Sequence, residues 1–254
     1  MALYPIETDF DASWPVDARD LVGEAAARWA RIITRPLSPV LIDGRQINGL
    51  RIALSIVPGN VGGQLARAGP LHLRPLSASV GSLLPATAAL SIDEADFEAL
   101  SGDGRLPSIL AHEFGHSLGI GTVWSYKGLI AGAGTTNPQF EGPCAMREFG
   151  KLCDASPRVL PVEYRGGVGS ADRHWRENEF GYELMSTYLP GRDNRLSRMT
   201  IASLEDIGYT VDYNCAEPYE LGHADFTTKG LESFVPSYVM NPTEPEILPD
   251  DALM

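Results

Sequence analysis

The spacing of apolar side chains in the first half of the chain predicts a helix followed by two strands. From Pro15 to Thr34 apolar residues recur every three or four positions, which is the period of an amphipathic helix. Every second side chain is apolar from Leu50 to Val57 and again from Ala88 to Asp93, which predicts two half-buried strands. A glycine-rich loop, Gly59 to Pro70, is predicted between these strands, and a short acidic helix, Glu94 to Leu100, after them.

The next helix is predicted from Leu106 to Leu118, where an apolar arc runs beside a polar edge. Asp103 is a candidate N-terminal cap and Pro107 suits the first helical turn. Gly119 is a natural stop, because glycine readily adopts the left-handed conformation that ends many helices.

Loops dominate the predicted second half of the chain. Glycine and proline are frequent from Gly128 to Pro143 and from Pro157 to Gly169, and a short helix, Ala145–Leu152, lies between these stretches. A last helix begins after a cap at Ser197 and ends at Gly208, and an extended segment follows it.

These elements predict an α+β fold in two lobes that meet near residue 120. The first lobe, residues 1–120, contains a mixed sheet and helices, and the second, residues 121–216, is loop-rich and contains one late helix. Residues 217–254 carry four prolines and many acidic side chains, which predicts a loosely packed tail.

Composition narrows the classes of partner. Of the 254 residues, 44% are apolar and 21% charged, which is typical of a globular domain. Lys and Arg number 20 against 33 Asp and Glu, a net charge of -13 that repels phosphate backbones, so no nucleic-acid partner is expected.

No apolar run reaches the roughly 18–20 residues of a bilayer span. The N-terminus lacks the features of a signal peptide; either the protein is made without a leader or a leader has been removed.

Three cysteines cannot all pair within one chain. Cys144 and Cys153 flank a short segment and could form a disulfide, but three unpaired thiols, with Cys215 as the third, are an equal alternative. The sequence contains no Cys-x-x-Cys pair, so a zinc site built from thiolates is not expected.

The strongest indication of function in the sequence is the segment His112-Glu113-Phe114-Gly115-His116. Residues four apart share one face of a helix, so the two imidazoles can bind one tetrahedral cation. Glu113 lies about 100° around the helix from His112, where it can reach a metal-bound water and take its proton. Composition gives about 0.1 His-x-x-x-His pairs by chance, and requiring the glutamate lowers this below about 1%.

A catalytic zinc site needs a third protein ligand, with the fourth position left for water. In the short form of this zinc motif a third histidine follows six residues after the second. At that position this chain has Thr122. His72 and His223 are better explained as surface or packing residues, and Glu141, a carboxylate candidate, lies among glycines and prolines that disfavour a helix. His174 is favoured by the residues that follow it.

The segments after the histidine helix resemble a known family. A His-Glu-x-x-His-x-x-Gly helix, a long insertion, the pair His174-Trp175 and then Glu183-Leu184-Met185 together resemble the leishmanolysin-type metzincin metallopeptidases, in a compact bacterial-type form. The stretch Asn194–Tyr209 resembles the helix that follows the methionine turn in that family. The resemblance covers roughly Leu106 to Tyr213 and is weaker in the first half.

The resemblance implies a two-lobed metzincin-like fold and one catalytic zinc ion. It implies that His112, His116 and His174 bind the zinc, that Glu113 is the general base, and that Met185 forms a packing floor below the ion. Related enzymes are commonly exported or surface-bound, so a secreted or cell-surface location is implied by the resemblance alone. No further cofactor site is implied.

The resemblance also implies that the strand containing Leu90 and Ile92 is an exposed edge, which pairs main chain to main chain with an extended substrate. The expected function is therefore a zinc-dependent endopeptidase acting on proteins or peptides. Two alternatives stay open: a zinc hydrolase of small amides or esters, and a catalytically silent binding module that retains zinc.

Three acidic residues and one aromatic residue near these segments have other expected roles. Glu183 is expected to hold the methionine turn by local hydrogen bonds, and Trp175 to pack and orient His174. The carboxylates near Asp193 and Asp206 could bind calcium, but their spacing matches no calcium-binding loop and a solvated acidic face explains them better.

Overall fold

The computed structural model describes residues 3–59, 66–167, 169–189, 194–221 and 244–254. Within these ranges the protein has mixed α/β structure, with several helices and a mixed sheet, which is compatible with the predicted α+β class. The strands are β1 (Ile6–Phe10), β2 (Val40–Ile42), β3 (Arg45–Ile47), β4 (Leu50–Val57), β5 (Ala66–Leu73), β6 (Pro85–Asp93), β7 (Ile130–Ala131), β8 (Gln139–Phe140), β9 (Leu160–Pro161) and β10 (Glu246–Ile247). The helices are α1 (Arg19–Ile32), α2 (Glu94–Asp103), α3 (Leu106–Ser117), α4 (Thr122–Tyr126), α5 (Pro143–Leu152), α6 (Glu177–Phe180) and α7 (Arg198–Ile207).

The main sheet has the strand order β1-β4-β6-β5-β10. Strands β1, β4 and β6 run parallel to one another, β5 runs antiparallel to β6, and β10 adds to β5 in parallel. Helix α3 packs against β5, β6 and α1. The indole Nε1 of Trp29 on α1 donates to the carbonyl of Ala111 on α3 at 2.8 Å, so a buried hydrogen bond fixes α3 relative to α1.

The strand that carries Leu90 and Ile92 is not an edge, so that prediction was wrong. Strand β6 is paired on both sides, with β4 and with β5, and both side chains are fully buried. The neighbour on the outer side, β5, includes residues 66–70, which were predicted to be loop; residues 60–65 of that loop lie outside the described ranges. Within the described ranges, the outer side of β5 is paired only at His72 and Leu73, by β10.

Several predicted helices are confirmed with small changes in their ends. Helix α1 begins after a 3₁₀ turn at Val16–Ala18, and α2 continues to Asp103 instead of stopping at Leu100. Asp103 does not cap α3 from its N-cap position, which Arg105 occupies; one carboxylate oxygen of Asp103 accepts from the Arg105 N–H at 3.0 Å.

The second half contains the predicted helices and three very short strands. Helix α5 packs against α7. The hydroxyl of Ser197 accepts from the N–H of Thr200, as expected of a cap, and α7 ends before Gly208 at φ 121°. Strands β7, β8 and β9 pair antiparallel inside the segments predicted to be loops. One buried apolar cluster joins residues from both sides of residue 120, including Trp29, Phe114 and Trp175.

The last residues of the chain are packed against the N-terminal part, so the prediction of a loosely packed tail was wrong for residues 244–254. Strand β10 extends the main sheet, and Leu248 and Ala252 are buried in a small cluster with Val40 and Ile47. The N–H of Met254 donates to the carbonyl of Pro39 at 3.2 Å. Residues 222–243 of the predicted tail lie outside the described ranges.

Two other expectations concern covalent and membrane structure. Cys144, Cys153 and Cys215 are unpaired, half-buried thiols, so the alternative without a disulfide holds. Along the described ranges, no helix combines the length and the apolarity needed to span a bilayer.

Candidate metal centre

Three histidine side chains converge in the interior. The Nε2 atoms of His112 and His116 lie 2.9 Å apart, those of His116 and His174 lie 3.0 Å apart, and those of His112 and His174 lie 3.3 Å apart. All three residues are at most 1% exposed. In the part of the chain that the structure describes, they are the one group of three or more His, Cys, Asp or Glu residues close enough to hold a metal ion.

The other nitrogen of each ring contacts a main-chain carbonyl. Nδ1 of His112 lies 2.7 Å from the oxygen of Leu184, and Nδ1 of His174 lies 3.0 Å from that of Ser170. The third contact, in His116, is 3.0 Å long and reaches the oxygen of Ile120. Because a carbonyl only accepts, each Nδ1 carries the proton and donates, which leaves the three Nε2 lone pairs pointing at one another.

This arrangement fits a bound cation. Three facing lone pairs about 3 Å apart repel each other unless a positive ion lies between them. Tetrahedral coordination with metal–nitrogen distances of about 2.0–2.1 Å places ligand nitrogens about 3.3 Å apart, close to the three observed separations. The structure therefore contains a buried three-histidine group that could hold a metal ion.

The protonation states of the rings are those that metal binding requires. Burial lowers the pKa of His112 to about 3, with a further contribution from the nearby His174 ring. Burial also lowers the pKa of His174 to about 4 and holds that of His116 well below its usual value. Neutral imidazoles are the form in which histidine binds metals.

Two glycines turn the chain so that the Ile120 carbonyl reaches His116. Helix α3 ends at Ser117, and Gly119 and Gly121 have φ angles of 103° and 84°, a region that side chains rarely adopt. A Cβ atom on Gly121 would lie 2.5 Å from the carbonyl oxygen of Arg173, so this turn also packs against the residue before the third histidine. The expected role of Gly119 as the helix stop is confirmed.

Glu113 follows His112 on α3 and is 1% exposed. Its Oε1 atom has no hydrogen-bond partner among the described residues. Burial raises the pKa of this carboxyl to about 8. A buried carboxylate oxygen without a partner is costly in a purely structural role, which marks Glu113 as a candidate for proton transfer.

Met185 lies against the helix between the two α3 histidines. It is fully buried, and a Cβ atom on Gly115 would lie 2.6 Å from its Sδ atom. The turn that holds Met185 is fixed by Glu183, whose Oε2 accepts from the Met185 N–H at 2.6 Å and whose Oε1 accepts from the Ser197 hydroxyl at 2.6 Å. The expected structural role of Glu183 is confirmed.

Trp175 connects the third histidine to the core. Its main-chain N–H donates to the carbonyl of Met185 at 3.0 Å, and its indole Nε1 donates to the hydroxyl of Thr200 at 2.7 Å. Its ring stacks on Trp124 with centroids 4.6 Å apart. The Trp175 ring is therefore held by a hydrogen bond and by stacking, which confirms its expected packing role.

Replacing Gly115 by alanine is expected to lower the free energy of unfolding by about 1–3 kcal/mol, because the new methyl group overlaps the Met185 side chain. The measurement is chemical denaturation of the metal-free protein.

Gly23, in the interior of α1, is the matched control, since a Cβ atom there contacts nothing within 4 Å. Its replacement by alanine is expected to stabilise the protein by about 0.5–1 kcal/mol. Equal effects of the two substitutions would contradict the close contact of Met185 with α3.

The other candidate ligands are not part of the centre. His72 lies on β5, where Nδ1 is 2.7 Å from the Thr87 hydroxyl, and Glu141 is exposed. His223 lies outside the described residues, as does Asp193. Both carboxylate oxygens of Asp206 accept main-chain N–H groups at the start of α5, which gives this residue a capping role that the sequence analysis missed.

Two buried carboxylates near His174 were also missed. Glu163 and Glu177 are 5% and 6% exposed, and both contact segments that adjoin the centre. No periodicity or motif in the sequence distinguishes these two buried glutamates from solvated ones. Their proximity in sequence to His174 was the one available signal.

No protein-family model matches this chain, and no curated protein matches it at a significant level.

Proposed function

We propose that this protein is a zinc-dependent endopeptidase in which Glu113 is the general base. The proposal is carried by one observation: three neutral imidazole nitrogens converge in a buried centre, and Glu113, the residue after the first of these histidines, has a buried carboxyl oxygen without a hydrogen-bond partner among the described residues. The resemblance of the histidine helix and the methionine turn to leishmanolysin-type metzincins supports the same function.

Zinc is the metal we propose for this centre. Imidazole ligands suit zinc, copper, iron and nickel, but three histidines at tetrahedral spacing in a buried site are typical of catalytic zinc. A bound zinc ion would supply Lewis acidity, which polarises a carbonyl group and lowers the pKa of water.

The residues of the centre have three proposed roles: metal binding, proton transfer and packing. His112, His116 and His174 hold the ion, and the carbonyls behind their rings keep each Nε2 directed at it. Glu113 accepts a proton from the attacking water and passes it to the leaving amine, because its Oε1 has no competing partner among the described residues. Met185 supports the helix from below by packing against Gly115.

Two of the proposed ligands come from residues 1–120 and the third from residues 121–216, and we propose that the substrate lies in a cleft between these two parts of the chain. We propose β5, in place of the strand containing Leu90 and Ile92, as the edge that pairs with an extended substrate. Its outer side is unpaired from Ala66 to Leu71 within the described ranges, and α3 packs directly against it. Main-chain pairing at a strand edge suits substrates of varied sequence.

Two alternatives differ in substrate or in activity. A hydrolase of small amides or esters would use the same centre but would not need the edge of β5. A silent module that retains zinc for structure is less well supported, because structural zinc sites normally have four protein ligands and the described residues provide three.

The function is tested by measuring metal content and cleavage of a denatured protein with the same preparation. We expect about one zinc ion per chain, cleavage that a chelator stops, and recovery when zinc is restored. A parallel panel of small amides and esters is the comparison. Chelator-sensitive hydrolysis of small substrates without protein cleavage would favour the first alternative, and bound zinc without any hydrolysis would favour the second.

A further inference from the structure

Glu163 and Glu177 flank the third histidine and take no part in the chemistry proposed above. Both residues are more than nine-tenths buried. Burying a carboxylate is costly unless it is hydrogen-bonded or paired with a cation. Among the described residues no cation lies within ion-pair distance of Glu163, so its stabilisation comes from hydrogen bonds.

Every partner that the described residues provide to the Glu163 side chain is a hydrogen-bond donor. Its Oε1 accepts from the main-chain N–H groups of Tyr164 and Arg165, at 2.9 and 3.0 Å. Its Oε2 accepts from the main-chain N–H of Glu177 at 3.3 Å and from the hydroxyl of Thr187 at 3.4 Å. Both oxygens of the carboxylate are therefore used as acceptors, twice each.

These donors belong to the segments that set the position of His174. The main chain of Glu163 pairs with the same region: its N–H donates to the carbonyl of His174 at 2.9 Å, and its carbonyl accepts from the N–H of Asp172 at 2.8 Å. Thr187 follows Met185 by two residues, so the Oε2 atom of Glu163 joins the segment after His174 to the exit of the methionine turn.

Glu177 differs in its hydrogen bonding. Its Oε2 accepts from the N–H of Tyr188 at 3.0 Å, whereas its Oε1 has no hydrogen-bond partner within the described ranges. The nearby Ser186 hydroxyl donates to main-chain carbonyls, so an amide NH₂ group can replace this Oε1 without facing a main-chain N–H. In Glu163 the same replacement places an NH₂ group against a main-chain N–H in either orientation of the amide.

We propose that Glu163 is a positioning residue, which fixes His174 relative to the methionine turn and so sets the affinity and geometry of the metal centre. This inference rests on the metal-binding part of the proposed function and not on peptidase activity. Among the described residues, no hydrogen bond joins the Glu163 carboxylate to the ring of His174, whose Nδ1 partner is the carbonyl of Ser170.

The test compares the wild-type chain with Glu163→Gln and Glu177→Gln, using Co²⁺ as the probe. The affinity is measured by titration against a competing chelator, and the visible absorption of bound Co²⁺ reports the ligand geometry. For Glu163→Gln we expect about tenfold weaker Co²⁺ binding and a shifted absorption band. A tenfold loss of affinity is at the lower end of what hydrogen-bonding partners of metal ligands contribute. For Glu177→Gln we expect both quantities to stay within about twofold of wild type.

Unchanged affinity and absorption in Glu163→Gln would overturn the proposal, as would equal losses in the two variants. Circular dichroism of the metal-free forms checks that each is folded. If Glu163→Gln does not fold, Thr187→Val removes one donor and keeps the carboxylate; a smaller shift of the Co²⁺ band is then expected, and an unchanged spectrum contradicts the proposal. A wild-type chain that binds no Co²⁺ would instead contradict the metal centre itself.

Discussion

Glu113→Gln is expected to lower kcat for peptide hydrolysis by a factor of about 10²–10⁴ while the zinc content stays near one per chain. A positioned general base contributes about this much to the rate, and glutamine has the same shape but cannot accept the proton. The Oε1 atom of Glu113 has no partner among the described residues, so the substitution breaks no known hydrogen bond at that atom. The measurements are single-turnover cleavage of a denatured protein and metal analysis of the same sample.

Glu141→Gln is the matched control for this result. Glu141 is exposed and lies outside the three-histidine group, so its conversion to glutamine is expected to leave both cleavage and zinc content unchanged. Full activity in Glu113→Gln would show that another group takes the proton. Loss of zinc together with activity would show that Glu113 acts on the ion's binding and not on the water.

His174→Ala is expected to weaken zinc binding by more than about 100-fold, because outer partners of ligands alone contribute about 10–100-fold and His174 is proposed as a direct ligand. At a fixed excess of zinc, a 100-fold loss of affinity removes about 2.7 kcal/mol of metal-dependent stabilisation. The readout is the shift in unfolding midpoint that added zinc causes, compared between variant and wild type.

His72→Ala provides the comparison for His174. His72 lies on β5, where its ring contacts the Thr87 hydroxyl, and it is not part of the buried group. We expect its removal to leave the zinc-induced shift unchanged. A normal shift in His174→Ala would place the third ligand elsewhere, and His223 would be the next residue to replace.

The helix that carries the two paired histidines was predicted almost to the residue, from Leu106 to Leu118 against Leu106–Ser117 in the structure. Its signals are local: an apolar arc, a proline in the first turn and a glycine at the end. His174 could not be predicted in this way, because it lies 58 positions after His116 and no spacing rule covers such an insertion. Only the family resemblance identified His174 as the third ligand. In the structure its ring lies against the rings of His112 and His116.

The errors in the sheet have a common physical cause. Alternation shows that a strand has a buried face, but it does not show which strands lie beside it, so β6 was misplaced at the edge. Gly69 and Pro70 lower strand propensity and concealed β5. Strand β10 has two residues and exists because it pairs with β5, a contact that its own sequence does not indicate.

The carbonyls that orient the three rings belong to Leu184, Ile120 and Ser170, and none of them depends on a side chain. All three residues are buried, so substitutions by side chains of similar size are expected to keep both the path of the backbone and the orientation of the rings. Insertion or deletion of one residue in the same segments would move a carbonyl away from its ring. The centre should accordingly tolerate changes of residue type far better than changes of loop length.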